Sequence, residues 1–170
     1  MNPVPDHTGL TWRLKDADRA ARLFITSFLC ALTFGYLIGL FFVGHTSSGT
    51  MQGLTEEYRG TPESRQEAEL KYAKSADEMY IFLHNHVISL SLVFLTVGTI
   101  FYFSSSPSGL LKEFIIAEPF IAILTTFGGI WLMRFVSENF NWLVVISGVS
   151  MVGCYFTMVT IILKELWWRR

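Results

Sequence analysis

Five side chains carry what chemistry this sequence offers: His45, His84, His86, Glu118 and Arg134. Neutral imidazole binds haem iron, copper and zinc, so the three histidines are candidate ligands for a metal or a haem. Spacing limits what they can do. His84 and His86 are two residues apart on a predicted helix, so they point about 200° from each other. One ion cannot take both from a regular helix, and a site must recruit His45 or another chain. The face of His84 runs through Ile88, Ser91, Leu95 and Gly98; that of His86 through Ser89, Val93 and Val97. Ser91 and Gly98 are small, which favours His84 as the inward-facing member. Met51, Met79 and Met133 fall near the same membrane face and add soft sulfur, which would suit copper. Glu118 lies in a long apolar run, where a carboxylate is a candidate proton or ion handle. It could equally cap a helix whose first residue is Pro119. Arg134, at the far end of that run, is expected to snorkel to the interface or to pair with a haem propionate or a loop carboxylate.

The elements that must position these groups are membrane spans. The chain has 170 residues, 51% of them hydrophobic, and a mean hydropathy of +0.41, which is too apolar for an ordinary soluble domain. Thirteen basic residues balance fourteen acidic ones, so no global field points to nucleic acid. The expected order is a polar, interfacial segment 1–22 with Trp12 at headgroup depth, a first span 23–43, an extramembrane loop 44–75, then spans 76–103, 110–135 and 141–163. A basic, aromatic tail, 164–170, ends the chain. The fold class is all-α: an integral membrane four-helix bundle with both termini on one side.

Local signals refine this plan. Ala31, Gly35 and Gly39 share a face of the first span and predict a close helix-packing seam. Gly44 suits the left-handed residue that ends a helix. The run His45 to Gly53 reads as a glycine-punctuated loop, and Thr61-Pro62-Glu63 as a helix start. Ser75 and Glu78 fit a capping box for the second span. Cys30 and Cys154 sit in apolar runs as packing residues, and no disulfide framework is expected. His7 lies in the N-terminal tail and is not a favoured ligand.

Basic residues number eight on the side of the termini and five on the other, so the positive-inside bias places the termini in the cytoplasm and the loop 44–75 in the periplasm. Antiparallel connection then gathers His45, His84 and His86 at the periplasmic face. No Cys-x-x-Cys-His for a covalent haem occurs, nor a Ser-His-Asp set, phosphate loop, HExxH or nucleotide fingerprint.

His84-Asn85-His86-Val87 resembles the helix-initial His-x-His of membrane proteins related to haem–copper oxidase core subunits. Gly44-His45-Thr46, His84 to Val87, Glu118 to Phe120 and Phe127 to Gly129 together resemble small uncharacterised four-span bacterial membrane proteins. Both resemblances imply a bacterial inner-membrane, multi-pass protein with an accessory role near respiratory electron transfer. The leading expectation is a subunit holding haem b, or alternatively copper, through His45, His84 or His86, with Arg134 nearby; no cofactor at all is equally compatible. Its partners would be the lipid bilayer, a larger membrane complex or a homo-oligomer, and a periplasmic cytochrome docking on the loop. The competing classes are an accessory or assembly subunit with structural histidines, and a small proton-coupled transporter using Glu118. On none of these readings is the chain expected to be an enzyme by itself.

Overall fold

The computed structural model describes residues 13–62 and 70–168. After a 3-10 turn at Leu14–Asp16 come α1 (Arg19–Thr46), α2 (Met51–Arg59), α3 (Ala76–Tyr102), α4 (Leu110–Phe135), a second 3-10 turn at Glu138–Phe140 and α5 (Asn141–Trp167). The described residues contain no strand. Four helices, α1, α3, α4 and α5 with its preceding turn, are long and apolar enough to cross a membrane. The all-α membrane bundle therefore holds. His7 and Trp12 lie outside the described residues, as does the helix expected to start at Thr61-Pro62-Glu63.

Side chains cap the first N–H groups of α1, α2 and α3. Asp18 accepts from the Ala21 N–H at 2.8 Å to start α1, and Thr50 from the Gly53 N–H at 2.9 Å to start α2. The Ser75–Glu78 capping box forms as expected: Glu78 accepts the Ser75 N–H at 2.7 Å and Ser75 the Glu78 N–H at 3.3 Å. Gly109, at φ +66°, turns the chain into α4 in a conformation that side chains disfavour.

Gly44 does not end α1. The helix runs on to Thr46, and the left-handed turn falls on Ser48 and Gly49, whose N–H returns to the Gly44 carbonyl. The expected loop after it is half helix: α2 starts at Met51, with Gly53 pressed against the Ser47 carbonyl where no Cβ would fit. That close approach is why a glycine stands in the first turn of α2.

The core is a three-helix packing of α3, α4 and α5, with the largest interface between α4 and α5. Met79, Phe94, Val97, Phe101, Ile123, Ile130, Met133, Met158 and Ile162 fill it. Both ends are closed. On one, α2 lies across α4 and α5: Arg59 donates to the Met133 carbonyl at 2.8 Å, and Glu57 pairs with Lys71 and Lys74 at 3.2 and 3.1 Å. On the other, Leu14 is buried and its N–H reaches the Phe103 carbonyl at 3.1 Å. There Arg22 donates to the Leu166 carbonyl at 2.8 Å, and the Trp167 indole N–H to Thr26 at 3.0 Å. The start of α1 and the end of α5 thus meet at one end of the bundle.

α1 stands apart from the core. Only Leu29 along it is buried, and beyond the contacts of Arg22 and Thr26 it touches α5 through Thr33, whose hydroxyl is 3.0 Å from the Tyr155 hydroxyl, and through Tyr36, stacked on the Tyr155 ring at 4.1 Å. The seam expected on α1 is not used within the chain. Ala31, Gly35 and Gly39 are exposed, and a methyl on either glycine would meet nothing within 4 Å. The close approach is made instead by Gly129 of α4, whose added Cβ would come within 3.0 Å of Val144 on α5.

Candidate functional site

His45, His84 and His86 are all exposed, and α1 meets α3 at the Tyr36–Phe94 ring contact rather than along its length. The preferred inward turn of His84 is corrected. The buried face of α3 is Met79, Phe94, Val97, Gly98 and Phe101, which leaves His84 on the outer face over a shallow depression with Tyr80, Ile81 and Asn85. His86 lies at the edge of the α3–α4 contact. Its ring packs on Phe82 and Phe127 at 4.2 and 5.5 Å, and Nδ1 lies 2.9 Å from the Phe82 carbonyl. That contact fits a histidine held by packing. Among the described residues no three His, Cys, Asp or Glu gather as a metal site.

Arg134 does not snorkel freely. Its Nε donates to the Lys74 carbonyl at 2.8 Å and its guanidinium lies over Phe135, so it ties the loop to the end of α4. Tyr58 on α2 is buried against Phe82, and burial, with the charge of Glu57 beside it, pushes its phenol above the ordinary range. These contacts make the α2 region a fastened cover.

Glu118 is half-buried, with one of its oxygens shut off from solvent. Pro119 lies inside α4 rather than at its start, so Glu118 sits eight residues into a continuous helix, about 12 Å along it. Glu118 therefore lies inside one of the four apolar candidate spans and not at a helix cap. Pro119 has no N–H for the Ile115 carbonyl, which weakens the helix ladder next to Glu118. Cys154 of α5 brings its thiol within hydrogen-bonding reach of the carboxylate, and Tyr36 of α1 faces it electrostatically. One carboxylate oxygen, Oε2, is buried with no hydrogen-bond partner, and so is the Tyr36 hydroxyl. Groups from three helices thus surround an acidic side chain, half-buried, one oxygen of which has no partner. Burying an unpaired charge costs several kcal/mol, on the order of the desolvation penalty for one ion.

Further polar groups line the same α4–α5 interface. Thr126 and Ser147 are buried and share a 2.7 Å hydrogen bond. Beyond them Asn141 donates to Thr55 of α2 at 3.5 Å, and its own carbonyl oxygen is buried without a partner. The sequence reading missed Tyr36, Cys154, Thr126, Ser147 and Asn141. Part of the signal was present as spacing: Ser147 and Cys154 are seven residues apart and so share one face of α5.

Four apolar spans of this kind define a multi-pass helical membrane protein. Residues 48–170 match the Aq_1264_TM family, a transmembrane helical domain, and the chain belongs to that family. No curated protein and no solved structure matches it. The matched region takes in α2 to α5 and leaves out α1, the helix that is also least buried in the fold.

Proposed function

We propose that this is a membrane protein that binds and releases a proton at Glu118 within the bilayer, a property that would suit a small proton-coupled transporter or a proton-handling subunit of a larger complex. The observation that carries the reading is the buried Oε2 of Glu118 without a partner, among Cys154 and Tyr36. An intramembrane acid is retained against its cost when it has work to do, and proton exchange is the work a lone carboxyl can do. The residence we propose is a bacterial inner membrane with the termini in the cytoplasm, which the eight-to-five charge bias supports.

The test uses a lipid-soluble carbodiimide, which reacts with protonated carboxyls in apolar surroundings. Purified protein in lipid should become labelled on the peptide containing Glu118, more so at acid than at alkaline pH, and Glu118→Gln should abolish that label with helicity intact. Absence of label at Glu118 at any pH would overturn the reading.

A second reading rests on α1. A span that lies outside the family domain and buries only Leu29 is what an accessory subunit would use to reach a partner complex. An electron-transfer role belongs to that reading: haem b or copper at His45, His84 or His86 would need a partner chain to supply the opposing ligand, because these side chains face outward. A Soret band in the purified complex that is lost in His84→Ala would support it, and a colourless, metal-free complex would reject it.

A further inference from the structure

We propose that the end of α5 carries a binding site for an anionic phospholipid, with Lys164 and Trp168 taking its phosphate and Thr160 an ester carbonyl of its acyl chains. Thr160, Lys164 and Trp168 follow one another at four-residue intervals, so they form one stripe along the helix. All three are exposed, and with Leu163 they line an open furrow on the outer face of α5. The polar groups of this stripe are ones the fold leaves unused. Thr96, Thr99, Thr125 and Thr157 each donate their hydroxyl to the carbonyl four residues back, a common outlet for a hydroxyl within a span. Thr160 lies in a candidate span yet makes no hydrogen bond among the described residues. Trp167 donates its indole N–H to Thr26 at 3.0 Å, whereas that of Trp168 has no partner among the described residues. At the same end of the bundle Arg22 is occupied by the carbonyls of Lys15, Ala17 and Leu166, and Lys112 by those of Tyr102 and Ser104. The Lys164 ammonium has no hydrogen bond or ion pair among the described residues.

An anion at a helix C-terminus would ordinarily meet unpaired carbonyls. Here the Lys164 carbonyl accepts the Trp168 N–H at 2.9 Å, and the Leu166 carbonyl accepts from Arg22 at 2.8 Å. Arg169 and Arg170 follow in the sequence and add to the positive field. Depth selects a phospholipid over a free phosphate. Thr160 lies four residues, or about 6 Å, deeper than Lys164, and in a phospholipid the ester carbonyls lie below the phosphate in the same sense. An ammonium and an indole N–H donate to phosphate, and a hydroxyl donates to a carbonyl. Basic furrows beside spans take anionic headgroups in this way. A lysine and a tryptophan at the end of a span also serve as plain interface anchors, and the test must separate the two roles.

The experiment equilibrates the purified full chain in detergent with phosphatidylglycerol and phosphatidylcholine of identical acyl chains and counts the lipid retained by native mass spectrometry. Phosphatidylglycerol should be retained in preference. Lys164→Gln should lower that preference about fivefold, the factor one lysine contributes towards an anionic headgroup, and Lys164→Arg should keep it. Lys15→Gln, at another exposed lysine of the same end, should leave it unchanged. Thr160→Val should weaken both ester lipids alike, whereas an ether-linked phosphatidylglycerol, which has no ester carbonyl, should bind the parent protein and Thr160→Val equally. No preference in the parent protein, or one unaltered in Lys164→Gln, overturns the proposal. An equal loss in Lys15→Gln would reveal a diffuse field and overturn the site. Displacement of the lipid by inorganic phosphate would reveal an ion site and overturn the lipid. A silent Thr160→Val on the ester lipids overturns the carbonyl contact. The substituted side chains are exposed, so the fold should survive each change, and far-UV circular dichroism verifies that it does.

Discussion

Replacing Gly129 by leucine should split α4 from α5, whereas the same change at the adjacent Gly128 should be harmless. At Gly129 an added Cβ would already stand 3.0 Å from Val144 Cγ2 and 3.5 Å from Leu143 Cδ2, so the remaining carbons of leucine have no room. Over-packing of this kind costs about 1–3 kcal/mol. The Thr126–Ser147 hydrogen bond lies about one turn away and breaks when the helices part, which adds roughly 0.6 kcal/mol for a typical interhelical bond in a membrane. Both variants gain helix propensity by replacing a glycine, up to about 1 kcal/mol, and that gain cancels in the comparison. Gly128 is exposed and its Cβ would meet nothing within 4 Å. Gly129→Leu should therefore be less stable than Gly128→Leu by about 2–4 kcal/mol. Reversible unfolding in mixed micelles titrated with a denaturing detergent, followed by far-UV circular dichroism and tryptophan emission, measures the difference directly. Gly35→Leu on α1 serves as a further control and should behave like Gly128→Leu. Two equally stable glycine variants on α4 would refute the close α4–α5 contact. A large loss in Gly35→Leu would restore the seam that spacing alone suggests on α1.

The bundle end near the termini should depend on Glu165. Its carboxylate, 2% exposed, is the acceptor for both Ser105 donors, and charge-assisted bonds of this kind are worth about 1.5–3 kcal/mol each before water at the exposed Ser105 is allowed to replace them. Glu165→Ala should lower the thermal midpoint in detergent clearly, and Ser105→Ala, which keeps the backbone N–H, should lower it less; equal midpoints in all three proteins would show the loop is held otherwise. At the other end, α2 should loosen in alkali. The folded-state pKa of Tyr58 is raised, so its contribution is whole below the unfolded value of about 10 and is lost as pH rises above it. Tyrosinate absorbance and proteolysis near Arg59 should rise together there in the native protein and separate in Tyr58→Phe.

What the sequence made legible was what depends on local composition. Long apolar runs and the Ser75–Glu78 box define the spans, because bilayer thickness and orphan N–H groups act on consecutive residues. Orientation about each helix axis was not legible. His84 against His86, or Gly35 against Gly129, differ only in which neighbour each helix chooses, and in lipid a large apolar side chain is equally at home facing the core or facing outward. That removes the hydrophobic asymmetry which, in a soluble protein, would have shown which face was buried. Gly44 and Pro119 failed for a related reason: with every i→i−4 bond sheltered from water, a helix continues through residues that would end it in a soluble domain.

The same physics separates the histidines from Glu118. An exposed histidine at the end of a span can stay neutral and reach water, so its presence there costs little and says little. A carboxylate eight residues into α4, with one oxygen buried and unpartnered, is costlier to keep and so says more. The Cys154 thiol and the phenol of Tyr36 offer neutral company rather than a counter-charge, and no cation among the described residues bonds to it. Of these neighbours Tyr36 alone comes from outside the family domain, on the helix with the weakest hold on the bundle. If α1 moves relative to α5, the first group to change its distance to Glu118 is that phenol. On the proton-site proposal, Tyr36→Phe should change the yield of carbodiimide label on Glu118 while leaving the α4–α5 contact unchanged, and an unaltered label would reject a role for the phenol.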